Sequence, residues 1–386
     1  MNETLKYKIL TFVRYFADAM FYPFFSLYLQ SLGLVEERIG FILSITPLTS
    51  IFASIVFSKF CKNLKIIRST LFVITIFEAI FITLISFSSN FYLVSVLTFF
   101  IALSGSTHYS LLDSLSVNYC NQKNIQFSNI RMFGSLSYVI STTLSGFIID
   151  GLGYRFSFIG CSVLFIISSL LYISLKPIEE EKPNNYDKSK SDVRFIGLIK
   201  NKNYLIYLLT YIVLFSSILS CDSFLSLFLK SKGVSNSQYG FIYSYYVIVE
   251  VIVMLIFSKC IKSLSFNPSK LLILCSLSII IRMSSYYFSD SLIVIIILTG
   301  LKGFVNAVVF SFFFQFLITI VGKSASTLAI LVINTCHNII LFILNNILGN
   351  VISSLGYSYL YLIAIILSLV GLALTVINHY NLKRCK

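Results

Sequence analysis

Nine charged side chains stand inside or at the edges of long apolar runs: the acids Asp18, Glu78, Asp113, Asp222 and Glu250, and the bases Arg14, Arg131, Arg282 and Lys302. A charge at the centre of a membrane helix costs roughly 2.5–3.5 kcal/mol on insertion scales, so each of these is a candidate functional group. Their chemistry is complementary. Carboxylates accept hydroxyl protons and can take up H+, while a guanidinium donates a rigid fork of N–H groups. Together such groups hold a polar solute, or they neutralise each other as ion pairs. Arg14 and Asp18 lie four residues apart on one helical face, so either a mutual pair or a cavity role is open to them. His108 lies five residues before Asp113, about 140° around a helix from it. It is read as a packed, hydrogen-bonded histidine.

The elements that position these residues follow from composition. Hydrophobic residues make up 57% of the 386 and charged ones 11%, and the mean hydropathy is +0.89. A soluble domain of this size is far less apolar. A bilayer core needs about 20 apolar residues per helical crossing, and twelve runs fit: near 8–31, 39–58, 68–88, 91–116, 128–149, 155–175, 204–229, 239–258, 269–288, 291–316, 324–349 and 356–378. The runs are continuous, whereas a barrel would alternate over about ten residues. The expected fold class is therefore an all-α membrane protein.

The chain also repeats itself at an offset of 200 residues. SLYLQSLGLVEERIGFI (26–42) returns as SLFLKSKGVSNSQYGFI (226–242) with eight of seventeen positions identical, and FSKFCKNL (57–64) returns as FSKCIKSL (257–264). The one long polar stretch, 176–203, falls between the sixth and seventh runs. The expected organisation is an N-terminal six-helix bundle (1–175), a cytoplasmic linker (176–203) and a C-terminal six-helix bundle (204–386). Two pseudo-repeated bundles of this kind can rock against each other around a site between them.

The net charge of +14 is unevenly placed. Lys6, Lys8, Lys59, Lys65, Arg68, Lys123 and the linker lysines share one side, and only Arg38, Arg155, Lys230 and Lys232 fall on the other. The positive-inside rule then orients both termini to the cytoplasm and leaves no case for a nucleic-acid partner. The eight cysteines contain no C-x-x-C pair, which argues against a disulfide framework or a zinc site; no metal or cofactor is expected. The first apolar run follows lysines as a signal peptide would. It carries Arg14 and Asp18 and belongs to the repeat, so it is read as a retained helix.

Several motifs resemble a known family. QFSNIRMFGSLSY (126–138) resembles the start of helix 5 in the lactose permease branch of the major facilitator superfamily, with a related Arg-x-Trp-Gly-Ser in the phenylpropionate-permease-like branch. Both branches carry an acid 18 residues earlier, here Asp113. FYPFFSLYLQSLGL (21–34) is similar to their helix 1, and GFIYSYYVIVEV (240–251) with IIIRM (279–283) is similar to helices 8 and 9 of the second branch. The resemblance implies the major facilitator fold. It implies that Asp113 and Arg131 clamp substrate hydroxyls, that Tyr138 is the stacking aromatic, and that Asp18 lines the cavity. The alternative for Asp113 and Arg131 is a structural salt bridge.

In the C-terminal half, Glu250, Arg282 and Lys302 would face the same cavity, with coupling or gating roles. Asp222 is expected to pair with Lys302. The proton-carrying glutamate of lactose permease falls on Val305, which leaves Glu250 or Asp18 as the expected carrier. The superfamily's cytoplasmic signature is degenerate here as SIVFSKFCK (54–62), keeping only Lys59 and Lys62, which recur as Lys259 and Lys262 and could anchor to anionic headgroups. Asn334, His337, Asn338, Asn345, Asn346 and Asn350 form a polar stripe that suits either interhelical bonding or a wet wall.

The leading expectation is a secondary active transporter, not an enzyme, moving a small polar organic solute (a sugar, nucleoside or aromatic acid) by alternating access. Its expected coupling ion is H+, its state a monomer, and its location a bacterial cytoplasmic membrane. Efflux of a drug or secondary metabolite is the alternative, supported by 37 Phe and 24 Tyr. A membrane enzyme or lipid scramblase is remote, because no nucleotide loop or nucleophile elbow stands at a sensible place.

Overall fold

The computed structural model describes residues 2–61, 63–176, 195–260 and 268–384. Lys62, Lys262, the side chain of Lys259 and linker residues 177–194 lie outside the described residues. Among the described residues the regular structure is entirely helical. Among the described residues, eleven helices are long and apolar enough to cross a membrane. The first helical stretch, which holds Lys6, Lys8, Arg14 and Asp18, is not one of them.

The chain divides into two compact units, Met1–Glu181 with Leu225–Ser244, and Lys182–Phe224 with Tyr245–Lys386. The first unit opens with α1 (Glu3–Phe21), a 3-10 turn (Tyr22–Phe24) and α2 (Phe25–Ser31). Pro23 lacks the N–H that would continue the ladder, so the single run expected over 8–31 is interrupted there. α3 (Glu36–Phe60), α4 (Leu64–Ser86) and α5 (Phe91–Gly105) follow, then α6 (His108–Lys123), α7 (Ser128–Leu152) and α8 (Tyr154–Ser174). Asn63 and Asn90 start α4 and α5, their side-chain oxygens accepting from the backbone N–H of Ile66 and of Tyr92 and Leu93. The expected fourth run thus begins at Phe91, bends at Ser106 and Thr107, and continues through α6.

Serines let these helices approach closely. Ser141 Oγ donates to Phe16 O at 2.6 Å and Ser157 Oγ to Met20 O at 3.0 Å, holding α7 and α8 against α1. Around them Tyr7, Leu10, Leu71, Ile74, Leu112, Leu115 and Tyr172 form a buried apolar core. Outward, Phe52, Phe77 and Phe147 are about half exposed, a surface suited to lipid contact.

The duplication reappears residue for residue. α12 (Leu225–Ser231) and α13 (Asn236–Cys260) repeat the bounds of α2 and α3 at the 200-residue offset. Gly33 (φ 77°) and Gly233 (φ 87°) occupy the same left-handed turn between them, a conformation that favours glycine. Ser26 and Ser226, equivalent in the two copies, hydrogen-bond each other at 2.6 Å. α7 and the start of α13 meet through small residues spaced four apart, Thr142, Gly146 and Asp150 against Ser244, Gly240 and Asn236. Asp150 caps α13, accepting from the N–H of Asn236 (3.2 Å) and Ser237 (2.8 Å) and from Asn236 Nδ2 (2.8 Å).

The second unit holds α9 (Phe195–Lys200), α10 (Lys202–Thr210), a π turn (Tyr211–Ser216) and α11 (Ser217–Asp222). It also holds the rest of α13, α14 (Pro268–Phe288), α15 (Leu292–Leu355) and α16 (Tyr357–Arg384). α15 is two helices meeting at Gly322, where φ is 77°. Its polar stripe is divided: Asn345 is buried, Asn334 and Asn350 are exposed, and His337 Nδ1 lies 2.7 Å from Ser216 Oγ on the π turn.

Candidate functional site

In the first unit the charged residues sort into a closed cluster and an open pair. The cluster centres on Arg14. Its Nη1 donates to Glu78 Oε2 at 2.6 Å and its Nη2 to Glu78 Oε1 at 3.0 Å, a two-pronged pair from α1 to α4. Its Nε donates to Asp18 Oδ2 at 3.0 Å, and its guanidinium lies 4.1 Å from the Phe165 ring centre. All three charged side chains have 0% exposure. Of the two readings open to Arg14 and Asp18, the i, i+4 pair is present, and Glu78, 64 residues from Arg14, is the closer partner. Tyr109 OH donates to Asp18 Oδ2 at 2.8 Å. His108 is fully buried, with Nε2 at 2.8 Å from Tyr172 OH and Nδ1 at 3.7 Å from Glu78 Oε2. That is the packed histidine expected from the sequence. Gly105 leaves the room that Glu78 fills, since a Cβ there would run into its carboxylate and into Tyr22 OH.

The open pair is Asp113 and Arg131, both part-exposed. Each lies within electrostatic reach of the other and of Tyr15. Among the described residues no hydrogen bond or ion pair ties the two together. Arg131 instead lays its guanidinium over the Tyr15 ring, 4.4 Å from the centre. Tyr15 packs on Tyr109 at 4.9 Å, so one aromatic step joins the open pair to the closed cluster. Tyr138, expected as the stacking aromatic, is part-buried and stacks on Tyr243 at 5.7 Å. Asp18, expected on the cavity wall, is enclosed by Arg14 and Tyr109.

In the second unit Arg282 Nη1 meets Asp222 Oδ1 at 2.8 Å, and Lys302 Nζ meets Asp222 Oδ2 at 3.5 Å. The expected Asp222–Lys302 pair is present, with Arg282 as the closer partner. Lys302 also lies 4.7 Å from the centre of the Tyr246 ring. Glu250 Oε2 accepts from Asn306 Nδ2 at 3.1 Å. Among the described residues, the two intramembrane acids of this unit, Asp222 and Glu250, balance the two intramembrane bases, Arg282 and Lys302. Val305, where a carboxylate would be needed for the lactose-permease arrangement, is buried.

Long apolar helices enclosing charges of both signs define a multi-pass membrane protein built on paired repeats. The chain belongs to the MFS_1-like family, whose model, described as "MFS_1 like family", matches residues 4–363. It is a family of the major facilitator superfamily, made up of transporters rather than enzymes. Over 232 residues the chain is 26% identical to the uncharacterized transporter YwbF of Bacillus subtilis, and over 230 residues it is 23% identical to a maltose permease of Geobacillus stearothermophilus. Each match covers 59% of this chain and 57% of the relative. A probable 3-phenylpropionic acid transporter of Escherichia coli is 22% identical over 255 residues, 66% of each chain. The matched stretch thus spans little more than half the length of the first two relatives.

Two crystal structures of the nucleoside transporter NupG, one of a mutant, superpose with TM-scores of 0.81 and 0.73 at 14% identity, covering 98% of this chain and 100% and 99% of those. A bacterial homolog of the human lysosomal transporter Spinster gives a TM-score of 0.67 at 10% identity, over 97% of this chain and 94% of that one. At such identities the likeness shows the fold alone.

Proposed function

We propose that this protein is a proton-coupled secondary transporter that moves a small polar organic solute by alternating access. The observation that supports the reading is the open Asp113–Arg131 pair, because the other intramembrane charges of that unit are enclosed and paired. A carboxylate and a guanidinium with no hydrogen bond to each other, in a partly desolvated setting, are poised to take hydroxyls or a carboxylate from a solute. Tyr15 and Tyr138 supply aromatic faces for a sugar ring, a nucleobase or an aromatic acid, and Asp18 stands behind them through Tyr109. Asp222, Arg282, Lys302 and Glu250 form the complementary gating and coupling group. The first broken helix, α1 with α2, completes twelve crossings with both termini cytoplasmic. The two six-helix bundles, 1–175 and 204–386, are joined through 176–203, and the protein works as a monomer in a bacterial cytoplasmic membrane.

Uptake of labelled maltose, uridine and 3-phenylpropionate into proteoliposomes, with and without an inward acid gradient, tests the reading. Arg131→Ala removes charge-assisted bonds worth about 1.5–3 kcal/mol, so solute affinity falls about 10- to 150-fold, with partial recovery in Arg131→Lys. Unchanged affinity in Arg131→Ala refutes the clamp. Uptake that ignores the gradient refutes the coupling.

A further inference from the structure

We infer that the Arg14–Asp18–Glu78 cluster, with His108 beside it, is a proton-binding site that holds one exchangeable proton between α1, α4 and α6. The inference rests on the transport reading above and adds the place where the coupling proton sits.

The argument is one of charge and enclosure. Two carboxylates and one guanidinium share a space with no exposed surface, so full ionisation would leave one uncompensated negative charge out of contact with water. A single proton, carried on one of the two carboxyls, removes that excess. Among the described intramembrane charges of the second unit there is no such surplus, since Asp222 and Glu250 are matched in number by Arg282 and Lys302.

Among the described residues, the groups facing the cluster supply no second cation. Arg14, Tyr15 and Asp18 come from α1, and Tyr22 from the turn after it. Thr75 and Glu78 come from α4, His108 and Tyr109 from α6, and Tyr138 from α7. α8 contributes Cys161, Phe165 and Tyr172. Arg131, the next base, is turned onto Tyr15.

The same geometry gives the proton a route to influence the solute. Asp18 accepts from Tyr109, and Tyr109 packs on the Tyr15 ring that carries Arg131; Asp113 stands one helical turn from Tyr109 on α6. When the proton leaves, Asp18 and Glu78 compete for one guanidinium, and the Tyr109 hydrogen bond is where the open pair feels it. The proton leaves as H+ to water on one side and is replaced from the other.

Infrared spectra of the full-length protein in lipid, titrated from acid to alkaline pH, read the protonated-carboxyl stretch without any solute. A band that shifts or disappears in Glu78→Gln and in Asp18→Asn is expected, and a band indifferent to both variants overturns the site. Glu78→Gln mimics the protonated form and is expected to keep solute counterflow, which needs no net proton movement, while acid-driven accumulation falls by about 5- to 150-fold. Accumulation that stays gradient-driven in Glu78→Gln overturns the site's coupling role and leaves the transport reading standing. Wild-type uptake that ignores the gradient removes the coupling reading itself.

Discussion

A single methyl group at Gly240 should loosen the joint between α7 and α13. A Cβ built there meets the backbone oxygen of Thr142, lies 3.2 Å from Thr142 C and 3.4 Å from Thr143 Cα. Backbone cannot swing aside as a side chain does, so Gly240→Ala must push the helices apart and strain the Ser244 bonds to Thr142 Oγ1 (2.7 Å) and Val139 O (2.7 Å). Overpacking of this kind costs typically about 1–3 kcal/mol, which multiplies the fraction of molecules with the joint parted by about 5- to 150-fold. A cysteine at the buried Ser26 reports that fraction through its labelling rate with a membrane-impermeant maleimide, measured in a background lacking native cysteines. The same reporter with Gly151→Ala is the control, because a methyl on that α7 glycine meets nothing within 4 Å. A Gly240→Ala labelling rate within about twofold of the control, under half a kcal/mol, would refute the argument that this contact is tight.

Removing the α13 cap by Asp150→Ala deletes three hydrogen bonds and should cost about 0.5–2 kcal/mol, read as a lower melting temperature and faster labelling at the same reporter. Asp222→Asn strands Arg282 and Lys302 and should destabilise the protein by about 3–5 kcal/mol in thermal unfolding. The double variant Asp222→Asn with Arg282→Gln should recover part of that loss. A single variant as stable as wild type would show that the pair is not needed to hold α11 to α14.

The membrane class, the duplication and the set of intramembrane charges could all be read from the chain, because each is written in local composition or in a fixed offset. Arg14 with Asp18 was legible for the same reason, since four residues is one helical turn. Glu78 stood out as a buried acid, yet nothing along the chain links it to a base 64 residues away; that pairing depends on how α1 packs on α4. The family resemblance pairs Asp222 with Lys302, while the closer Arg282 follows only from the placement of α14. The π turn at Tyr211–Ser216 has no local signature in YIVLFS, and its bond to His337 is a tertiary matter. Gly240 and Ser244 look ordinary in an apolar run until Thr142 and Gly146 are set against them.

Ser26 and Ser226 hold equivalent positions in the two copies of the repeat and touch each other. A residue that meets its own copy must be self-complementary: a carboxylate or an ammonium there would confront a like charge, and an aliphatic side chain would forfeit the bond. A hydroxyl gives and receives at once, so it satisfies both copies with a single side-chain type. At this point the two repeats cannot drift independently, because a change in one is a change in the other's partner.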